Sequence, residues 1–258
     1  MKNFFKIFVV IAFVAVIGFN FTACKNGDDS GDDTGDDGNS GNNGGVINPQ
    51  GANVYLDDGE TLIDSRITAK VMIGIEGYYI DKDNYFFMDG IEIGNITNGK
   101  LSFTLPNVSA YAVSGLLLAD DFIIGVYTND EYYTYTVNSD TVECKPQDAK
   151  ALYGGIYFVY DDKKYYLEYY NETTGMLYLY LDKPTTLKGE FRAYVNSNTQ
   201  HIDINDTYNC DFKTGWNVVY VAAHGGGGSS GGHSSFYSTS NFSTNLPVNA
   251  ASMRWIAE

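Results

Sequence analysis

From Gly51 onward, apolar and polar residues alternate with the period of two that marks a half-buried strand. Ile67, Ala69, Val71 and Ile73 fall on one face, and Thr68, Lys70 and Met72 on the other. Asn98-Gly99 stands directly ahead of Leu101, Phe103 and Leu105, which alternate with Ser102 and Thr104. An Asn-Gly pair before such a run predicts a hairpin. The same pattern predicts strands over 122–127, 132–137, 156–160, 165–170, 176–181, 187–194, 207–212, 216–221 and 253–257. Helical spacing is nearly absent, and only 146–152 suits a single helical turn. Many short strands separated by Gly, Asn and Asp predict an all-β chain built from one or two β-sandwiches. The stretch SDTVECKPQDAK loses the alternation and sets a boundary. This gives a first sandwich over 51–143 and a second over 150–258, each long enough to bury a core. Residues 224–235, rich in Gly and Ser, read as a loop of the second.

The chain before Gly51 has a different texture. Lys2 and Lys6 precede residues 7–19, an uncharged apolar run of 13 residues. A spanning helix needs about 20 such residues, so this run has the length of a signal-peptide core. Residues 1–23 are therefore expected to be a signal peptide. Residues 24–50 carry a tetrad repeat of Gly-Asp-Asp followed by Ser, Thr or Gly. This repeat has no apolar side chain whose burial could offset the entropy of ordering it. It is expected to act as a tether, with a reach of roughly 30 Å for a Gly-rich coil of that length.

Charge narrows the partners. The 258-residue chain carries −16. Losing residues 1–23 removes Lys2 and Lys6 and no acid, which leaves −18. Such a surface repels the phosphates of nucleic acids and anionic lipid headgroups. A neutral or cationic partner fits better.

Phe21-Thr22-Ala23-Cys24 resembles the lipobox of bacterial lipoproteins, in which small residues precede the cleaved bond and a cysteine follows it. The resemblance implies cleavage between Ala23 and Cys24 and a diacylglyceryl thioether on Cys24, with a further acyl chain such as palmitate. Two or three chains would hold firmly, because each buried methylene contributes roughly 0.8 kcal/mol. The acidic run soon after Cys24 resembles the surface-export signals of some lipoproteins, which implies an outer-membrane anchor with the body facing outward. The body also resembles, at low specificity, immunoglobulin-like or transthyretin-like domains of secreted bacterial proteins and the strand patterns of uncharacterised envelope lipoproteins. Lipid on Cys24 leaves Cys144 and Cys210 as an even pair in an oxidising compartment. They read either as a disulfide or as two separately buried thiols.

No motif names a reaction. His201, His224 and His233 lack the neighbours that a zinc site requires. Gly232-His233-Ser234-Ser235-Phe236 has Phe where a nucleophile elbow needs its last Gly. Asp81-Lys82-Asp83 with Glu92 matches part of a calcium loop, but Tyr85 and Phe86 stand where a ligand and the turn glycine belong. The Gly225–Gly228 run lacks the Lys and helix of a phosphate loop. No catalytic residue, metal ligand or cofactor is assigned. The 22 tyrosines, dense in YTNDEYYTYTV and DDKKYYLEYY, suit either half-exposed strand faces or a binding platform for an extracellular protein or glycan. The expected role is binding or adhesion. A pilus-type or other structural envelope subunit, and a hydrolase with an unrecognised carboxylate pair, are the alternatives.

Overall fold

A computed structural model describes residues 47–56, 59–78, 85–111, 116–117, 134–196, 200–230 and 233–258. Ala23 and Cys24, nearly all of the tether, the predicted strand at 122–127 and the Asp81-Lys82-Asp83 motif lie outside them. The described chain is all-β, with no α-helix among the described residues. Its strands are β1 (Gln50–Leu56), β2 (Ala69–Tyr78), β3 (Tyr85–Thr97), β4 (Lys100–Phe103), β5 (Leu116–Leu117), β6 (Thr134–Asp140), β7 (Glu143–Lys145) and β8 (Lys150–Tyr160). They continue with β9 (Lys163–Tyr170), β10 (Thr174–Leu181), β11 (Thr185–Asn196), β12 (Gln200–Phe212), β13 (Gly215–Ser230), β14 (His233–Ser243) and β15 (Arg254–Ala257).

Hydrogen bonding closes eight of these strands into a barrel in the order β8-β2-β3-β4-β1-β15-β9-β10, with β10 pairing back onto β8. Closure joins distant parts of the chain. β1 lies parallel to β15, with Val54 opposite Trp255, and β2 runs antiparallel to β8, with Ile73 opposite Ile156. The sheet then continues outward from β10 through β13, β14, β12 and β11 to β6 and β7.

Two cores share one wall. Along β10, Met176, Tyr178 and Tyr180 point into the barrel with Val218 and Tyr220 of β13. The alternate residues Leu179 and Leu181, with Val219 and Val221, point into a second core. That core is completed by Cys144, Ala151, Leu187, Phe191, Tyr208, Cys210 and Phe212. Two-sided burial explains why residues 176–181, MLYLYL, are apolar on both faces instead of alternating with polar residues.

The structure revises several expectations. The all-β class holds, but a barrel with added strands stands where one or two sandwiches were expected. Pairing crosses the boundary expected at 143–150, because β8 beyond it joins β2 before it. Residues 150–152 begin β8 and do not form a helical turn. The Gly/Ser-rich stretch is also a strand region: Gly225–Gly228 of β13 pair with Ser238–Ser235 of β14 in a long hairpin. Cys144 and Cys210 are both free and buried. Leu187 lies between them in register, opposite Cys144 on one side and Cys210 on the other. That puts them two strand spacings apart, roughly 9–10 Å, whereas a disulfide needs Cα atoms within about 7 Å. Burial pushes both thiols up, Cys210 to about 12, so neither ionises readily.

Gly154 and Gly155 sit in the middle of β8, where a glycine marks a bend or a close approach. Their surroundings differ. A Cβ on Gly154 would come within 2.9 Å of the Trp216 ring and of Ile73 Cδ1, whereas one on Gly155 would meet nothing within 4 Å. The Trp216 ring is pinned by its indole N–H, which donates to the Pro106 carbonyl at 2.7 Å, so it cannot easily withdraw. Urea unfolding therefore separates the two positions. Gly154→Ala should cost about 1–3 kcal/mol through overpacking, and Gly155→Ala should leave the midpoint nearly unchanged.

Candidate functional site

The two glycines lie at a junction of three strands. Tyr157–Tyr160 of β8 pair antiparallel with Tyr166–Lys163 of β9. Ala151–Gly154 of the same strand pair antiparallel with Leu181–Tyr178 of β10. β9 and β10 are themselves antiparallel where Tyr170 meets Gly175. Two strands that are each antiparallel to a third must, in a plane, be parallel to one another. β8, β9 and β10 are pairwise antiparallel, so they cannot share a plane and instead meet around a vertex. Gly155 and Ile156 pair only with β2. Leu167–Tyr169 pair only with β15, and Met176 and Leu177 only with β13.

The centre of the vertex is a cavity of about 110 Å³. Its floor is aromatic and apolar, formed by Tyr169, Tyr178, Trp255 and Met176, all buried. The floor is also rigid. The Trp255 ring lies 5.1 Å from that of Tyr169 and 5.4 Å from that of Phe103, edge-on to the latter. The Tyr178 hydroxyl donates to the Ile47 carbonyl at 2.7 Å. Burial raises that phenol well above its ordinary value, so it remains a neutral donor.

Glu168 is the one carboxylate in the lining. It lies between Leu167 and Tyr169, which both pack into the barrel, so strand alternation turns it to the outer side. It stands opposite Ile256, which is buried. Among the described residues no hydrogen-bond donor or cation reaches its carboxylate. Burial, and then the neighbouring charge of Glu258, raise Glu168 to about 7. Glu258 itself is held by the Tyr170 hydroxyl, which donates to it at 2.9 Å.

Outside the cavity the β8–β9 hairpin carries an aromatic pair. The Tyr157 and Tyr166 rings lie 6.2 Å apart. The Lys164 ammonium sits 3.7 Å from the first ring centre and 5.0 Å from the second. Tyr166, about half exposed, belongs both to this platform and to the cavity lining. Exposed Val159 and Tyr160 extend the surface towards the hairpin tip.

The residues singled out in the sequence lie elsewhere. His201 is on β12, within an ion-pair distance of 3.2 Å from Asp203, and His224 is on β13, opposite Thr239. No group of three or more metal-ligating side chains occurs among the described residues. Ser234 and Ser235 are strand residues of β14. Glu92 forms an exposed ion pair with Lys70 at 2.7 Å. The tyrosine-rich DDKKYYLEYY is the stretch that reaches the site, since it forms the hairpin turn and β9. Sequence reasoning missed Glu168. Its signal was a lone carboxylate among the four tyrosines of β9. No protein-family model matches the chain, and neither a search of curated proteins nor one of solved structures returned a match.

The raised value of Glu168 has a defined effect on stability. The folded state keeps the proton up to about pH 7, whereas the unfolded chain releases it near 4.5. The unfolded state therefore holds fewer protons between those limits, and stability falls as pH rises through them and levels above pH 7. Glu168→Gln removes the charge. It should raise unfolding stability near pH 8 by about 2 kcal/mol and change little near pH 4. Denaturant melts of both forms at the two pH values check this.

Proposed function

We propose that the chain is a lipid-anchored protein of the bacterial cell envelope, displayed outward, that binds a ligand at the junction of β8, β9 and β10. The anchor reading rests on the charged start, the apolar run at 7–19 and Phe21-Thr22-Ala23-Cys24. Acyl chains on Cys24 would hold it in the outer membrane, and the Gly-Asp repeat would keep the body clear of the headgroups. No helix among the described residues is long and apolar enough to cross a membrane.

The observation that carries the binding reading is the cavity. It combines a rigid aromatic floor, an open mouth at Gly155 and one carboxylate without a partner among the described residues. Binding sites of this kind place a few polar groups in a mainly apolar lining. For a structural-subunit role, β15 offers no free edge, being paired by β1 and β9, whereas β6 pairs only with β11 among the described residues. A hydrolase reading lacks a second carboxylate in the lining among the described residues. Intact-mass analysis of protein extracted from membranes tests the anchor. The expected species begins at Cys24 and carries the mass of a diacylglyceryl group with a further acyl chain. An unmodified Cys24, or a chain that still begins at Met1, overturns it.

A further inference from the structure

We propose that the cavity at the junction of β8, β9 and β10 receives the ammonium group of a small unbranched primary alkylamine, with Glu168 as its counter-ion and the aromatic floor around its carbon chain. The inference rests on the binding reading above and names its ligand class.

Charge sets the sign of the ligand. Among the described residues, Glu168 is the only charged side chain in the lining. The charged groups on neighbouring elements are committed elsewhere. Glu258 accepts from the Tyr170 hydroxyl. Arg254, on β15, donates to the Gly59 carbonyl at 2.8 Å and lies 5.0 Å from the Tyr55 ring. Lys164 rests on the Tyr157 and Tyr166 rings. The lining therefore offers an anion, with the Lys164 ammonium held on the Tyr157 and Tyr166 rings at its mouth, on a chain of net charge −16, whose field concentrates cations at its surface. An anionic ligand would meet Glu168 and Glu258 together.

Shape and lining set the rest. A volume of about 110 Å³ exceeds the roughly 30 Å³ share of one water several-fold. It suits an amine of about five heavy atoms. Tyr169, Tyr178 and Trp255 supply ring surface for methylenes, and ring faces attract an ammonium. The protein already shows this chemistry at the mouth, where Lys164 places its own ammonium between two tyrosines. The cation is matched by Glu168 in its ionised form, so binding strengthens as pH rises through the neutral range. It weakens again when the amine itself loses its proton, at an ordinary lysine-like value of about 10.4.

The experiment uses the chain from Cys24 to Glu258 carrying Cys24→Ser, with NMR titration of the β8, β9 and β10 amides. The probes are n-butylammonium, 1-butanol and butyrate, which share chain length and differ in charge. Near pH 8.5, butylammonium should bind about tenfold or more tighter than 1-butanol, and butyrate should not bind. Affinity for butylammonium should fall by about tenfold or more at pH 5.5, where Glu168 is protonated. Glu168→Gln should abolish that pH dependence while retaining the weak binding of 1-butanol. Gly155→Phe, which fills the mouth, should remove all binding. If 1-butanol binds as tightly as butylammonium, or Glu168→Gln leaves the amine affinity unchanged, the amine assignment is overturned and the cavity remains a binding site for neutral ligands. If none of the probes perturbs these amides, the amine assignment and the cavity as a binding site both fall.

Discussion

The rest of the structure depends on one geometric constraint: β8, β9 and β10 are pairwise antiparallel. Three strands with that relation cannot form a flat ladder. One of them must turn a corner, and Gly154-Gly155 stand where β8 changes partner from β10 to β9. Its first half then pairs with β10 and its second half with β9. The corner lets the barrel close through β8, lets β10 leave towards β13 as a wall between two cores, and leaves a void where the three strands separate. The cavity is thus a consequence of how the barrel closes and owes nothing to an added loop.

The barrel is filled in a way that suits this chain. Tyr169, Tyr178, Tyr180 and Tyr220 point inward with Phe103 and Trp255. Each ring buries a large area, but each phenol needs a partner when it is removed from water. Tyr178 finds one in the Ile47 carbonyl and so ties the segment entering from the tether to the barrel interior. Burial pushes Tyr220 up to about 12, which keeps its phenol neutral. In the second core the Tyr208 and Phe242 rings stack 4.8 Å apart, joining β12 to its parallel neighbour β14. Exposed ion pairs such as Lys70–Glu92 and Lys188–Asp211 add little, because surface pairs contribute at most about 1 kcal/mol each.

Strands were legible in the sequence because their signal is local. The alternating runs at 67–73 and 101–105 overlap β2 and β4, and the tyrosine runs at 165–170 and 176–181 fall within β9 and β10. Pairing was not legible, because it is set by contacts far apart in the chain. Nothing in Val54 or Trp255 announces that they stand opposite one another. The Gly225–Gly228 run read as a loop because glycine disfavours strands on average. Its pairing with the long, regular β14 outweighs that preference. Cys144 and Cys210 invited a disulfide by count alone, and only the register, with Leu187 between them, keeps them apart. Glu168 resembles any exposed strand carboxylate in the sequence, and only the junction half-buries it. The two glycines of β8 were visible, but their meaning depends on the strands they serve.

Glu168 links these levels. A corner in one strand creates a void, the void half-buries a carboxylate without giving it a partner among the described residues, and that carboxylate defines what the void can hold. Carbon-13 NMR of the Glu168 side-chain carboxyl, followed across pH in the ligand-free chain, tests this account most directly. It predicts a single titration with a midpoint near 7. A midpoint at the ordinary glutamate value, near 4.5, would mean that the carboxylate is solvated and that the junction encloses no site.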